Sequence, residues 1–147
     1  MRQATRRVAV GLFVALTALA ALHVYWGLGG LWPGKTEAEL INTVVGAPDF
    51  VRMPPAWMAH SVGGLLVLAG LFGLSASGAV PLGWAWFSRL ATGVIALVFV
   101  GRGMSGYVVP RIGIEQTEPF ATLDQLLYSP LCLVLGLGFV FLTWRGR

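Results

Sequence analysis

The stretch "VAVGLFVALTALAALHVYWGLGGLWPG", Val8 to Gly34, decides the fold because it contains no charged residue over 27 positions. About 20 apolar residues are enough for a helix to cross a bilayer, so this run holds one span. Its end is rich in aromatic residues, as is typical of a helix that reaches the membrane interface. The preceding "MRQATRR" and the "ALA" at 18–20 resemble a signal peptide. However, the run exceeds a signal core of roughly 7 to 15 residues, so we expect a retained helix.

The rest of the chain predicts three further spans. The 147 residues are 56% hydrophobic and only 11% charged, whereas soluble domains carry about 25% charged residues. Uncharged runs recur at 53–88, 90–101 and 125–144, and "SASGAVPLG" at 75–83 supplies the turn residues that divide the longest of them. We therefore predict one all-α integral membrane domain over 1–147, a bundle of four transmembrane helices. These helices are expected near 8–29, 55–75, 84–108 and 123–144, with outer loops at 30–54 and 109–122.

The charges predict the orientation of this bundle. One side carries only basic residues, namely Arg2, Arg6, Arg7, Arg89, Arg145 and Arg147. The other side carries the remaining four basic residues and all six acidic ones. By the positive-inside rule, both termini are cytoplasmic and the two long loops face outward. The arginines then need no nucleic acid as a partner, and the expected partner is the lipid bilayer; the sequence indicates no protein partner.

Both outer loops contain helix-capping signals. Thr36 and Glu39 have capping-box spacing before an apolar run, which predicts a short helix lying at the membrane surface. Thr122 and Gln125 repeat this spacing and predict that the last span begins at about Leu123.

Pro130 lies seven residues inside the predicted last span. Because proline has no N–H, we expect a kinked helix in which the carbonyl of Leu126 loses its usual partner. The only cysteine, Cys132, also lies in this span, so an intramolecular disulfide is excluded.

Polar residues of all four spans are predicted to meet in the outer half of the bundle. Arg102 lies 13 residues, about 20 Å, beyond the cytoplasmic Arg89. An ionised group at that depth is costly unless it is paired, and Asp124 is the best candidate partner, followed by Glu115 and Glu118. The predicted pocket residues are His23, Tyr25, Trp26, His60, Arg102, Asp124 and Tyr128.

Three functions fit these residues. The preferred one is a binding, carrier or accessory protein whose outward-facing pocket holds a lipid or another amphipathic or anionic small molecule, with Arg102 meeting its acidic group. An isomerase-like membrane enzyme would use His23 or His60 with Asp124 as acid and base, and a haem protein would use the two histidines as axial ligands. We predict no metal and no cofactor. Simpler interpretations stay open, namely interfacial histidines and an ion pair that only fixes helix register.

Two stretches also resemble a known family. "ALHVYWGLGGLWPG" at 21–34 and "LDQLLYSPLCLVLGLG" at 123–138 resemble the small bacterial membrane proteins of domain of unknown function 3995. The resemblance extends to "RMPPAWMAH" at 52–60 and to the glycine-flanked Arg102. It implies a four-span bundle in a bacterial inner membrane and implies no activity. The motif positions it marks are His23, Tyr25, Trp26, Asp124, Tyr128, Ser129 and Pro130.

Overall fold

The computed structural model describes residues 2–82 and 84–146, all of whose regular structure is helical. The elements in chain order are α1 (Arg2–Gly27), α2 (Glu37–Val44), α3 (Ala56–Ala76), α4 (Ala85–Arg111), α5 (Phe120–Leu123), a π-helical segment (Asp124–Tyr128) and α6 (Ser129–Arg145). The last three are continuous and form one span, Phe120–Arg145.

Four of these helices are long and apolar enough to cross a membrane, which confirms the predicted four-span architecture. The helices extend beyond the predicted limits. α1 begins at Arg2, not near Val8, because an uncharged run marks only the apolar part of a span and the helix continues through its basic residues. α4 likewise continues to Arg111. Two residues used in the predictions, Gly83 of the connecting turn and Arg147, lie outside the described residues.

The spans form two closely packed pairs, α1 with α3 and α4 with α6. Small residues allow this proximity, as is usual between membrane helices. A Cβ on Gly63 of α3, for example, would lie 3.2 Å from the Ala20 carbonyl oxygen of α1. A buried apolar cluster joins the two pairs and comprises Ala9, Leu12, Leu16, Ala69, Ala96, Leu135, Phe139 and Leu142.

The bundle has a loop end and a terminal end. The loop end carries α2 and the long connections 28–55 and 112–119, and the terminal end carries the start of α1, the α3–α4 connection and the end of α6.

At the loop end, the first capping prediction is confirmed and the second is wrong. The Thr36 hydroxyl accepts the Glu39 N–H at 3.2 Å and begins α2. The last span, however, begins at Phe120 after Pro119, with no side-chain cap. Thr122 lies inside its first turn and donates its N–H to the carboxylate of Glu118 at 3.4 Å.

α2 is more enclosed than a helix resting on a lipid surface. Its apolar residues Leu40 and Ile41 are buried within the protein, and the helix contacts α5. It therefore covers the loop end of the α4–α6 pair.

Candidate functional site

The π-helical segment shapes the start of the last span. The Ser129 N–H donates to the Asp124 carbonyl, five residues earlier, so the helix is wider here than an α-helix. In this register the carbonyl opposite Pro130 is that of Gln125, and it accepts the Tyr107 hydroxyl at 3.0 Å. The sequence predicted that Pro130 would leave the Leu126 carbonyl without its usual partner. Because the π-helical turn contains one extra residue, the carbonyl opposite Pro130 is instead that of Gln125, and the Tyr107 hydroxyl donates to it.

Arg102 of α4 forms an ion pair with Asp124 of the π-helical segment, which confirms the predicted partner. Its Nη2 lies 2.7 Å from Asp124 Oδ1, and its Nη1 makes longer bonds of 3.5 Å to Asp124 Oδ2 and Ser129 Oγ. The Ser129 hydroxyl donates to Asp124 Oδ1 at 3.1 Å. Both carboxylate oxygens of Asp124 are therefore occupied.

Glycine allows α4 to approach this network. A Cβ on Gly106 would overlap the Ser129 hydroxyl and lie 2.6 Å from Asp124 Oδ2. A Cβ on Gly103 would lie 2.9 Å from the Ser129 carbonyl oxygen. Because the groups they face include backbone and buried polar atoms, side chains at these two positions would push α4 away from the last span.

The two members of the ion pair differ in exposure. The Asp124 side chain is 1% exposed, whereas that of Arg102 is 39% exposed. A buried carboxylate without its cation is strongly destabilising, so Arg102 is held in place by the charge beneath it. The Arg102 side chain nevertheless remains partly accessible.

A cavity of about 380 Å³ opens above the ion pair at the loop end. Its lining includes Arg102, Ser105 and Asp124, together with Glu115 and Gln116 of the second long loop. The Gln116 Oε1 atom is buried and has no hydrogen-bond partner among residues 2–82 and 84–146. The cavity thus combines a partly exposed cation, a paired anion and a further carboxylate.

Contacts between the two long loops enclose this cavity. The Thr117 N–H donates to the Gly46 carbonyl at 3.0 Å, and the Phe120 ring packs against Gly46, whose positive φ of 69° favours glycine. The Tyr128 hydroxyl donates to the Thr43 carbonyl at 3.0 Å, and its ring lies 5.8 Å from that of Phe120. Tyr128 therefore connects the last span to α2.

The remaining predicted pocket residues lie on the other helix pair. His23 Nδ1 is 2.8 Å from the Leu19 carbonyl oxygen, and the His23 ring makes an edge contact with Trp26 at 5.1 Å. His60 of α3 packs against Gly27 of α1. Neither histidine belongs to the lining of the loop-end cavity.

Tyr25 and Trp26 hold the connection that follows α1. The Trp26 indole N–H donates to the Trp32 carbonyl at 2.7 Å, and the Tyr25 hydroxyl accepts the Trp32 N–H at 3.4 Å. The structure thus brings Arg102, Asp124 and Tyr128 together and places His23, Tyr25, Trp26 and His60 along the α1–α3 pair.

Sequence reasoning missed Gln116 and the contribution of residues 44–47 to the cavity. No local pattern marks these residues, because they reach the cavity only through contacts between two loops that are far apart in sequence.

Comparison with protein families agrees with the resemblance noted above. The family described as "Protein of unknown function (DUF3995)" matches residues 16–139, more than four fifths of the chain. No curated protein and no solved structure matches. The matched range includes both histidines and the Arg102–Asp124 pair. The chain therefore belongs to the DUF3995 family.

Proposed function

We propose that this protein is a multi-pass protein of the bacterial inner membrane whose loop-end cavity faces outward and binds the polar head of an amphipathic small molecule. Both termini are then cytoplasmic, in keeping with the arginines at the terminal end. The observation that carries the proposal is the partly exposed Arg102, which lines the cavity while the buried Asp124 holds it.

Arg102 suits the recognition of an acceptor group on a ligand. A guanidinium has five N–H donors, and only one of its bonds to Asp124 is as short as 2.7 Å. The others at 3.5 Å are weak enough to be exchanged. Because the ion pair already fixes the side chain, a ligand would lose little conformational entropy in ordering it.

The charges of the lining favour a zwitterionic head over a simple anion. Arg102 is balanced by Asp124, and Glu115 adds a negative charge. A ligand that brings only a negative charge would meet a net negative site. A zwitterion can place its anionic group at Arg102 and its cationic group near Glu115.

The other two functions receive less support from the same contacts. Asp124 is 1% exposed, and its Oδ1 accepts hydrogen bonds from both Arg102 and Ser129, so it is poorly placed to exchange protons with a substrate. Axial ligation of a haem would require space between His23 and His60, whereas α1 and α3 pack directly at Gly27 and Gly63.

The proposal can be tested with three probes that share a dodecyl chain: dodecylphosphocholine, dodecyl phosphate and dodecyltrimethylammonium. Radiolabelled probe retained by the protein in dodecyl maltoside is measured at equilibrium. We expect the zwitterion to be retained best, and Glu115→Gln to weaken its binding by about tenfold, because the trimethylammonium group loses its carboxylate partner.

Arg52→Gln is the matched control, because Arg52 is exposed on the same end and is not part of the cavity lining. Equal retention of all three probes, or unchanged binding of the zwitterion in Glu115→Gln, would contradict the proposal.

A further inference from the structure

A second cavity, of about 560 Å³, lies at the terminal end of the bundle. It is bounded by the first turn of α1, the end of α3 and the end of α6. Arg2 and Arg145 both line it, together with Thr5, Ser77 and Phe141. Of the described residues in this lining, none is acidic.

None of the chain's acidic side chains lies near the arginines of this end. Five described arginines lie here: Arg2, Arg6, Arg7, Arg89 and Arg145. All six acidic residues of the chain lie between positions 37 and 124, in α2, the long loops and the π-helical segment of the loop end. Arg2 and Arg145 therefore share one cavity as like charges, an arrangement that an anion between them would stabilise.

The backbone of the cavity wall strengthens its preference for an anion. α1 begins at Arg2, so the cavity lies at the N-terminal end of this helix. The positive end of the helix dipole acts in the same direction. This terminus and two arginine side chains from different helices thus act on one cavity.

The position of the cavity also matches a particular class of ligand. It lies where three membrane helices end, and Phe141 and Ala76 give it an apolar wall. Basic pockets between transmembrane helices at this level bind the head groups of anionic lipids. Arginine matches phosphate in particular, since its planar fork can donate two parallel hydrogen bonds.

We infer that the terminal-end cavity binds a phosphate group through Arg2 and Arg145, either as the head group of an anionic phospholipid or as free phosphate. The site is separate from the loop-end cavity and does not depend on the function proposed for it. None of the described residues lines both cavities.

The experiment compares two arginine double variants of the full chain in dodecyl maltoside. Arg2→Gln with Arg145→Gln removes both arginines of the lining. Arg6→Gln with Arg89→Gln removes the same charge from the same end without changing the lining. All four residues are exposed, so we expect both variants to keep the circular dichroism spectrum and melting temperature of the wild type.

The probes are dioctanoyl phosphatidylglycerol, dioctanoyl phosphatidylcholine and inorganic phosphate, and binding is measured by native mass spectrometry for the lipids and ³¹P NMR for phosphate. We expect phosphatidylglycerol to bind the wild type at least tenfold more tightly than phosphatidylcholine. The variant lacking Arg2 and Arg145 should lose this preference, and the variant lacking Arg6 and Arg89 should keep it.

The phosphate arm identifies the source of the ligand. Binding of phosphatidylglycerol alone, dependent on Arg2 and Arg145, supports a lipid head group, and arginine-dependent binding of inorganic phosphate supports a free anion. Equal losses in the two double variants would indicate only a diffuse basic surface and would overturn the inference. Unchanged binding in the variant lacking Arg2 and Arg145 would overturn it as well.

Discussion

The two helix pairs of this bundle are held together by different means. α1 and α3 pack through small residues and apolar side chains, and their histidines contact their own pair. α4 and the last span add a polar network of Arg102, Asp124 and Ser129 to glycine packing. The difference indicates where a ligand can act at the loop end, because only the second pair presents a partly exposed cation to the loop-end cavity.

The largest expected effect comes from removing the cation of this network. Arg102→Met leaves the 1% exposed Asp124 carboxylate without its partner, and we expect a loss of about 3–5 kcal/mol in the free energy of unfolding. Asp124→Asn should cost less, because the 39% exposed Arg102 can still reach water. Reversible unfolding in mixed micelles measures both, with Arg52→Met as the control. If the two variants lost the same free energy of unfolding, the different burial of Arg102 and Asp124 would not determine their contributions to stability.

A smaller effect is expected from glycine packing. Gly106→Ala places a methyl group against Ser129 and Asp124, whereas nothing lies within 4 Å of a Cβ on Gly101 of the same helix. We expect Gly106→Ala to lower the free energy of unfolding by about 1–3 kcal/mol, and Gly101→Ala to leave it unchanged or slightly raised. Gly63→Ala in the α1–α3 pair should fall between them, since its nearest contact is 3.2 Å.

The link between the last span and α2 should contribute less again. Tyr128→Phe removes one hydrogen bond to the Thr43 carbonyl and is expected to cost about 1 kcal/mol. Faster amide hydrogen exchange confined to α2 would be the signature. Tyr25→Phe removes a hydroxyl contact on the other pair and should leave exchange in α2 as in the wild type. A uniform change over all helices would argue against a local link.

The smallest effect is expected for the histidines. His23 and His60 lie outside the lining of the loop-end cavity. His23→Ala and His60→Ala should therefore each leave the affinity for dodecylphosphocholine within about twofold of wild type. A tenfold loss of affinity would correspond to about 1.4 kcal/mol. A tenfold loss in either variant would place the histidines in the ligand site and remove the distinction between the two helix pairs.

The sequence was sufficient to predict the four spans and the Arg102–Asp124 pair. Uncharged runs measure span length directly, and counting residues from Arg89 places Arg102 at the depth where an acidic partner is needed. The same counting could not separate His23 from Asp124, because depth along the membrane normal does not specify position around the bundle. The capping prediction at Thr122 was wrong because the same residue spacing also occurs inside a helix. The π-helical segment shifts the carbonyl opposite Pro130 from Leu126 to Gln125.

The most direct test of the account uses the double variant Arg102→Met with Asp124→Leu. An apolar replacement of a buried ion pair is often neutral for stability, so we expect the double variant to recover most of the stability that Arg102→Met alone loses. We also expect it to lose dodecylphosphocholine binding by tenfold or more, because the cavity no longer contains the guanidinium. Wild-type binding of this probe by a stable double variant would contradict the account, since the ion pair would then only hold the helices together.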